Sequence, residues 1–338
     1  MAFEQTQQLI QQLVSNRVVP GVSYGLIQGT NVWTNYSGDQ QWVPIVKPLQ
    51  PDQYYDLASL TKVMTTTVMI LKMIEANQLT LTTPVQQILP DFQNSEVQIR
   101  HLLTHTSGIT GYIPHRNELA APALKKALLG LQVGPGFEKE VKYTDIGLIY
   151  LGYIIEAFYP GPVQRTLTRE VLQPLDLNES TFQPKKALCV PTTYLNGQLC
   201  QGVVHDPKAQ ILAEHCASAG LFSTLPDVLK FAKFILGQFQ PANAPITQKQ
   251  IEALYQNYTQ LVAQPRSLGW DLRRQNQDHH FILYHTGFTG TFMLIDRQCQ
   301  TALAVLTNRI HPTGQNDVFL REREKIVQAF CDESKGEN

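Results

Sequence analysis

Ser59 and Lys62 have the residue types and the spacing of a nucleophile and its proton acceptor. Residues three apart on a helix lie on the same face, so this hydroxyl and this amine can meet. A serine hydroxyl is a weak nucleophile and needs a neighbouring base. The following segment, residues 63–71, carries no charge and is typical of a buried helix. We therefore expect burial to depress the pKa of Lys62 and to make this lysine basic at neutral pH.

Two further segments carry groups that suit acyl-transfer chemistry, which matters because a Ser-x-x-Lys pattern alone also arises by chance. Tyr143 and Asp145 follow a Gly-Pro-Gly loop and precede a helix that opens near Asp145 or Ile146. A tyrosine hydroxyl there can accept or relay a proton if cations lie nearby. The alternative is structural, with Asp145 as a helix N-cap and Tyr143 as a half-buried packing residue.

The third segment, His285-Thr286-Gly287, closes a predicted strand. A glycine at this point lets the backbone approach a ligand closely. The amide of Phe288 and the amide of Ser59 could together point at a developing oxyanion, which is the usual device in acyl transfer. The alternative is an ordinary strand end.

The elements that must position these residues are predicted from apolar periodicity and turn residues. Strands are predicted at 21–27, 31–36, 281–285, 291–296 and 302–307, and helices at 3–16, 119–131, 146–158, 225–239 and 317–331. Gly29 serves the turn of the first hairpin, and the interval 257–277 is rich in loop residues. Substrate choice is expected to depend on the loops at 112–117 and 257–277.

Strands at both ends of the chain and helices between them predict an α/β (α+β) protein. We expect one antiparallel sheet built from the N- and C-terminal segments and flanked by helices. Residues 1–58 and 240–338 would form this sheet domain, and residues 59–239 an inserted, mostly helical domain. The candidate site lies at the junction of the two, where active sites are common.

Composition excludes several classes of function. The 338 residues are 43% hydrophobic and 16% charged, with a net charge of -1, so no basic surface for nucleic acid is expected. No run is long and apolar enough for a transmembrane segment. The N-terminus lacks the basic start and the apolar stretch of a signal peptide. We expect a cytoplasmic protein; the alternative is an extracytoplasmic one whose export signal has been removed.

No cofactor and no metal are expected. His101 and His105 have the spacing of a zinc pair, but Leu102 stands where a metalloprotease has its glutamate. The five cysteines are odd in number and irregular in spacing, which favours reduced thiols. Oligomeric state stays open.

Two more pairs have uncertain roles. His205 and Asp206 either line the pocket or belong to a structural loop. Asn308 and Arg309 follow the last strand and could reach the rim of the cleft.

The motifs Ser59-x-x-Lys62, Tyr143-x-Asp145 and His285-Thr286-Gly287, in this order, resemble the signature motifs of serine β-lactamases and penicillin-binding proteins. The chain looks most like the class C-related branch, which includes D-alanyl-D-alanine carboxypeptidases, class C β-lactamases and family VIII carboxylesterases. The stretches 101–108, 218–224, 285–291 and 307–312 also resemble that branch. The resemblance covers roughly residues 10–330 and implies the β-lactamase/DD-peptidase-like fold.

This resemblance implies that Ser59 is the acylated nucleophile and that Lys62 and Tyr143 share the proton transfers. The amides of Ser59 and Phe288 would form the oxyanion hole, and Asp145, His285, Thr286 and Gly287 would contact substrate. Two residues depart from the family pattern. Many members have Lys at the position of His285 and Asn at the position of Asp145. Both departures argue against an efficient β-lactamase.

The sequence therefore predicts a serine hydrolase that forms an acyl-enzyme on a small-molecule or peptide substrate. The candidates are esters, amides, β-lactams and D-Ala-D-Ala peptides, so the activity is carboxypeptidase-like or that of a carboxylesterase. The alternative is a catalytically silent module that binds penicillin or senses peptidoglycan.

Overall fold

The computed structural model describes residues 3–314 and 316–335. The strands are β1 (Gly21–Gln28), β2 (Asn31–Gln41), β3 (Lys47–Pro48), β4 (Tyr55–Asp56), β5 (Ile109–Thr110), β6 (Gln132–Val133), β7 (Ser180–Thr181), β8 (Tyr194–Leu195), β9 (Gln198–Leu199), β10 (Phe222–Ser223), β11 (Asp271–Arg274), β12 (Phe281–Thr286), β13 (Phe292–Asp296) and β14 (Thr301–Thr307). The α-helices are α1 (Glu4–Ser15), α2 (Thr67–Glu75), α3 (Val85–Ile88), α4 (Ile99–Leu103), α5 (Ala121–Leu129), α6 (Ile146–Phe158), α7 (Val163–Leu167), α8 (Pro207–Leu212), α9 (Leu225–Leu236), α10 (Gln248–Ala253) and α11 (Asp317–Glu333).

A seven-stranded antiparallel sheet joins the two ends of the chain. Its order is β11-β12-β13-β14-β1-β2-β3. The central pairing of β1 with β14 runs from Val22 opposite Thr307 to Gln28 opposite Thr301. The predicted fold class and the five predicted strands are confirmed.

The central strands are buried on both faces, which explains their nearly continuous apolar composition. Along β14, Leu303 and Val305 contribute to an apolar core that includes residues of α1 and α11. The alternate residues Ala302, Ala304 and Leu306 belong to a second core that includes residues of α9. Side chains of a strand alternate between faces, so each strand serves both cores.

The first hairpin forms as predicted, with Gly29 in the left-handed region at a φ of 55°. Gly21 begins β1, where the next strand approaches closely. A Cβ atom there would lie 2.5 Å from the carbonyl oxygen of Asp39. The hairpin therefore requires a residue without a side chain at position 21.

The middle of the chain is mostly helical, and α6 is buried over most of its length. Within residues 3–314 and 316–335, no helix by itself has the length and apolar composition to cross a bilayer. One bent pair, Ile146–Phe158 with Val163–Leu172, meets that test jointly, at an angle of 80°. The domain boundaries at 58/59 and 239/240 stay a prediction.

Two features escape the sequence patterns. The sequence predicts a loop at 257–277, but strand β11 lies inside this interval. It pairs with β12, with Asp271 opposite Tyr284 and Arg274 opposite Phe281. A three-stranded sheet of β4, β10 and β7 has only two residues in each strand, too few to show periodicity.

All five cysteines are free thiols.

We expect Gly21→Ala to lower the free energy of unfolding by about 1–3 kcal/mol, because the new methyl group overlaps the backbone of β2. Urea unfolding measures the change. Gly130→Ala is the matched control, since a Cβ atom there lies 3.5 Å from its nearest neighbour, in ordinary contact. Equal stability of the two variants would contradict a steric requirement for glycine at position 21.

Candidate active site

Ser59 lies at the tight turn between β4 and the helix that carries Lys62. The residue before it, Ala58, has a φ of 46°, a conformation that costs a non-glycine residue of order 1 kcal/mol. Its amide donates a 2.9 Å hydrogen bond to Asp56 Oδ1, and the amide of His205 donates a 2.7 Å bond to Oδ2. The buried carboxyl group of Asp56 thus holds the strained turn.

The Lys62 ammonium group is fully buried and uses all three of its N–H donors. It donates to Ser59 Oγ at 2.7 Å and to the carbonyl oxygen of Ser218 at 2.7 Å, and it pairs with Asp145 Oδ1 at 2.8 Å. A π-helical turn, Lys62–Thr66, begins at this residue, and such turns are frequent at functional sites. The predicted contact between Ser59 and Lys62 is therefore present.

The expectation of a depressed lysine pKa is wrong. Burial does act to lower the pKa of Lys62, but the adjacent carboxylate of Asp145 and the phenol of Tyr143 outweigh it and raise the pKa above its usual value. Burial opposes ionisation of Asp145 as well, yet Lys62 and Lys208 hold the pKa of that carboxyl group far below its usual value. Lys62 is consequently an ammonium ion at neutral pH.

Lys208 extends this ion pair into a chain of four charges. Its ammonium group lies 3.1 Å from Asp145 Oδ2 and 2.9 Å from Asp206 Oδ2. Asp206 also caps α8 by accepting a hydrogen bond from the amide of Ala209. Asp145 occupies the N-cap position of α6, as the structural alternative predicted, but its side chain makes no capping hydrogen bond and pairs with the two lysines instead. Two cations and two carboxylates balance one another.

Tyr143 stands at the mouth of the site with 48% of its surface exposed. The Lys62 nitrogen lies 5.5 Å from the centre of its ring, and the Arg266 guanidinium carbon lies 5.6 Å from it. The ring of His105, a residue with a φ of 58°, lies 4.6 Å away. Three segments of the chain thus surround one phenol.

Strand β12 brings His285 to the same place. Its ring centre lies 6.1 Å from that of Tyr143 and is buried. Burial, with further contributions from Arg266 and Lys62, lowers the pKa of His285 well below the usual value, so the imidazole is neutral. The strand end therefore carries no positive charge.

The turn after β12 is hydrogen-bonded to the segment that precedes Ser59. Thr289 Oγ1 donates to the carbonyl oxygen of Asp56 at 2.7 Å, and Thr291 Oγ1 donates to that of Leu57 at 3.0 Å. Gly287, which precedes both threonines, lies against the backbone of Leu57. A Cβ atom on Gly287 would lie 2.5 Å from the carbonyl oxygen of Leu57. Thr286 is the last residue of the strand. These contacts fix the spacing between Ser59 and the strand.

The amides of Ser59 and Phe288 donate no hydrogen bond to any residue within 3–314 and 316–335. The Phe288 ring is exposed and stacks on His205 at 5.4 Å, with their planes 10° apart. Arg309 donates a 2.9 Å hydrogen bond to the Phe288 carbonyl oxygen and so orients that peptide.

A cavity of about 290 Å³ opens over Ser59. Its walls include Tyr143, Asp145, Phe288, His205 and Asp206, so the last two line the pocket. A neighbouring cavity of about 260 Å³ shares Tyr143, Asp145 and Lys208, and its other walls mix apolar and polar side chains.

Most of the residues singled out from the sequence converge here, but two others were missed and one lies elsewhere. Asn308 is buried and donates to the carbonyl oxygens of Gln40 and Pro191 instead of reaching the rim. Lys208 and Arg266 were missed. Lys208 follows the pair His205-Asp206, which was a signal that could have found it. Arg266 sits in a loop that offered none.

The histidine pair at 101 and 105 does not converge on one point. His101 contacts Glu138 at 2.8 Å and accepts from the amide of Gln98, whereas His105 packs on Tyr143. Within the described chain, His280, Asp296 and Cys299 have ligand atoms close enough for a metal ion. Their contacts are already hydrogen bonds, His280 to Asp296 at 2.8 Å among them.

Comparison with known proteins agrees with this geometry. The family model described as Beta-lactamase matches residues 6–325. The chain belongs to the β-lactamase family. This is a family of serine hydrolases that includes β-lactamases, DD-carboxypeptidases and esterases.

The β-lactamase family relatives include a protein of Salmonella agona named "Putative D-alanyl-D-alanine carboxypeptidase". It is 26% identical over 310 residues, which are 78% of this chain and 71% of that protein. An N-acetylmuramyl-L-alanine amidase of Bacillus subtilis is 24% identical over 307 residues, 76% of this chain and 68% of that protein.

Two solved structures share the fold. A class C β-lactamase from Rhodobacter sphaeroides has a TM-score of 0.77 at 16% identity, covering 96% of this chain and 98% of that one. EstCE1, a hydrolase with promiscuous acyltransferase activity, has a TM-score of 0.76 at 19% identity, covering 96% and 97%.

The buried Asp56 predicts a specific pH dependence of stability. Burial raises the pKa of Asp56 from 3.8 to about 6, against the lowering effect of its two amide donors. The folded protein therefore binds this proton more tightly than the unfolded chain does. Between those two values the Asp56 contribution to the free energy of unfolding increases as the pH falls, by up to about 3 kcal/mol.

Asp56→Asn removes this titration. We expect the difference in unfolding free energy between wild type and Asp56→Asn to grow in favour of wild type as the pH falls from 7 to 4.5. Urea unfolding at a series of pH values measures it. A difference that is constant with pH would show that Asp56 does not titrate in this range.

Proposed function

We propose that this protein is a serine acyl hydrolase that forms an acyl-enzyme on Ser59 and acts on small esters, as a carboxylesterase does. The observation that carries the proposal is the 2.7 Å hydrogen bond between Lys62 Nζ and Ser59 Oγ at the wall of an open cavity. A serine held by a buried ammonium group beside a phenol has the partners that nucleophilic catalysis needs.

Lys62 and Tyr143 act as a pair in this mechanism. Because Lys62 already carries its proton, the step requires Tyr143 in the phenolate form: its oxygen takes the proton of Ser59 as Oγ attacks the acyl carbon. The alcohol leaves with that proton, and the acyl group stays on Ser59. A water molecule then repeats the sequence and releases the acid. Lys62 stabilises the serine oxygen as it becomes negative.

The oxyanion has two available donors. The amides of Ser59 and Phe288 are not used by other described residues, and the Thr289 and Thr291 hydrogen bonds hold the two segments together. Preorganised amides of this kind contribute about 10²–10³ in rate where they have been removed one at a time.

Two residues of the site, His285 and Asp145, argue for an uncharged ester rather than a β-lactam. His285 is neutral and buried, so strand β12 offers no cation to a substrate carboxylate. Asp145 is ionised and cannot donate an N–H bond to a substrate carbonyl, as an asparagine would. Both properties weaken the case for β-lactams.

A D-Ala-D-Ala carboxypeptidase is the second candidate, and the Salmonella agona relative supports it. That activity requires an extracytoplasmic location, whereas an esterase suits the cytoplasm. An export signal in the full-length gene would favour the peptidase. The third candidate is a silent penicillin-binding module, which would acylate without turnover.

The decisive variant is Ser59→Ala. We expect hydrolysis of p-nitrophenyl butyrate to fall at least about a thousandfold, since the residue that forms the covalent intermediate is gone. Release of p-nitrophenol measures the rate. Ser37→Ala, on the outer strand β2, is the matched control and should keep the wild-type rate.

Equal activity of wild type and Ser59→Ala would refute the proposed nucleophile. If neither protein hydrolyses the ester, labelling with a fluorescent penicillin decides between the others. Labelling of wild type but not of Ser59→Ala would favour the silent module, and release of D-alanine from a D-Ala-D-Ala peptide would favour the peptidase.

Asp145→Asn should shift the acidic limb of the pH–rate profile to lower pH by about 1–2 units. The carboxylate raises the pKa of Lys62, so its removal lets Lys62 lose a proton more easily. The dependence of kcat/KM on pH measures the shift. Glu170→Gln removes a carboxylate that pairs with a remote lysine, Lys72, and should leave the limb in place. A limb that does not move, or moves to higher pH, would contradict this role of Asp145.

A further inference from the structure

Three side chains that can bind a metal ion meet at the end of the sheet that lies away from Ser59. His280 directly precedes β12, Asp296 is the last residue of β13, and Cys299 lies in the turn to β14. An imidazole nitrogen, a carboxylate oxygen and a sulfur atom lie there within 4.8 Å of one another. The six residues of β12, about 20 Å of extended chain, separate this cluster from the turn that faces Ser59.

The imidazole of His280 lies between two carboxylates. Its Nδ1 contacts Asp278 Oδ1, and its Nε2 lies 2.8 Å from Asp296 Oδ1. A neutral imidazole carries one N–H and can donate to only one of these two oxygens. Donation to Asp278 leaves the Nε2 lone pair facing a lone pair of Asp296. A cation at Nε2, either a second proton or a metal ion, turns this repulsion into attraction.

Cys299 distinguishes a metal ion from a proton in this arrangement. A proton shared by His280 and Asp296 needs no third ligand, whereas Zn²⁺ binds three or four protein ligands. The Cys299 sulfur supplies a third ligand atom within 4.8 Å of both others. Nitrogen, oxygen and sulfur together are the ligand set of Zn²⁺. The contact of Nδ1 with Asp278 is the one that a zinc-bound histidine usually makes with its second nitrogen.

The cluster is buried enough to hold a metal ion and open enough to admit one. The carboxylate of Asp296 is fully buried, and the ring of His280 is nearly so. A cavity of about 390 Å³ has His280 in its wall and gives a path from solvent. The guanidinium group of Arg297 also lines that cavity, but it is paired with Glu252 and hydrogen-bonded to Gln248, which reduces its repulsion of a cation.

We propose that His280, Asp296 and Cys299 form a zinc site, with Nε2, a carboxylate oxygen and Sγ as ligands and water as the fourth. The carboxylate and the thiolate balance the charge of Zn²⁺. Binding releases to solvent the thiol proton of Cys299 and any second proton of His280. Nε2 and the Asp296 oxygen, 2.8 Å apart, move apart by about 0.5 Å to reach tetrahedral spacing.

The proposed ion joins the start of β12, the end of β13 and the turn before β14. It therefore stabilises the sheet at a distance from Ser59. This inference goes beyond the proposed hydrolytic function and does not rest on it.

The test uses Co²⁺ in place of Zn²⁺, because the spectrum of Co²⁺ reports tetrahedral geometry and a bound thiolate. We expect one equivalent of Co²⁺, added to the metal-free full chain, to give a thiolate-to-cobalt charge-transfer band that Zn²⁺ abolishes. Cys299→Ser should lose the band. Cys200→Ser removes another partly exposed free thiol and is the matched control that should keep it. No band in wild type, a band that survives Cys299→Ser, or one lost in Cys200→Ser would overturn the proposal.

Competition with a chromogenic chelator measures the affinity for Zn²⁺. Asp278→Asn keeps all three ligands and should weaken binding by about 10–100-fold, and His280→Gln should weaken it further. Asp278 is exposed, so its variant tests the site even if a substitution at a ligand impairs folding. Equal affinities of wild type and these two variants would overturn the proposal.

Thermal unfolding tests the stabilising role. Saturating Zn²⁺ should raise the Tm of wild type by about 2–5 °C and leave the Tm of Cys299→Ser unchanged. An unchanged Tm of wild type would contradict that role. None of these measurements depends on ester hydrolysis, so full activity of Ser59→Ala would refute the proposed function and leave the zinc site to be decided by the Co²⁺ spectrum.

Discussion

The ion pair between Lys62 and Asp145 is the interaction on which the site depends. A single nitrogen is held by the hydroxyl of Ser59, by the backbone carbonyl of Ser218 and by Asp145 at the start of α6. Three segments far apart in the chain therefore meet at one point. Because all three N–H donors are used, any displacement of one segment breaks a charge-assisted hydrogen bond in a dry environment, where such bonds are strong.

The same ion pair determines the protonation state of Lys62. Burial alone would favour a neutral lysine, and a family member with an amide at position 145 would lack the opposing carboxylate. Here Coulomb attraction at 2.8 Å exceeds the cost of burial, so Lys62 keeps its proton. In the proposed mechanism, proton acceptance then falls to Tyr143.

Much of the fold was predictable because its strands and helices are long enough to show periodicity. The hairpin of β1 and β2, the three C-terminal strands and α11 all appear close to their predicted bounds. The convergence of Ser59, Lys62 and Tyr143 was also predictable, since three ordered motifs matched one family. The sign of the Lys62 pKa shift was not, because it depends on a distance between side chains 83 positions apart.

Arg266 could not be found from the sequence either, because it lies in a loop without periodicity and its position beside Tyr143 follows only from the coordinates. The sequence likewise did not predict the short strands β4, β7 and β10, although β4 leads directly into the turn that carries Ser59. What the sequence lacked in each case was the identity of neighbours brought together by tertiary packing.

The hydrogen bond from Thr291 Oγ1 to the carbonyl oxygen of Leu57 joins residues separated by 234 positions. A ribosome makes the nucleophile segment early and the strand that fixes its geometry near the end of synthesis. The growing chain therefore carries the serine for most of its translation without the spacing that the β12 turn imposes. The geometry around Ser59 is therefore completed only once the C-terminal strands have docked.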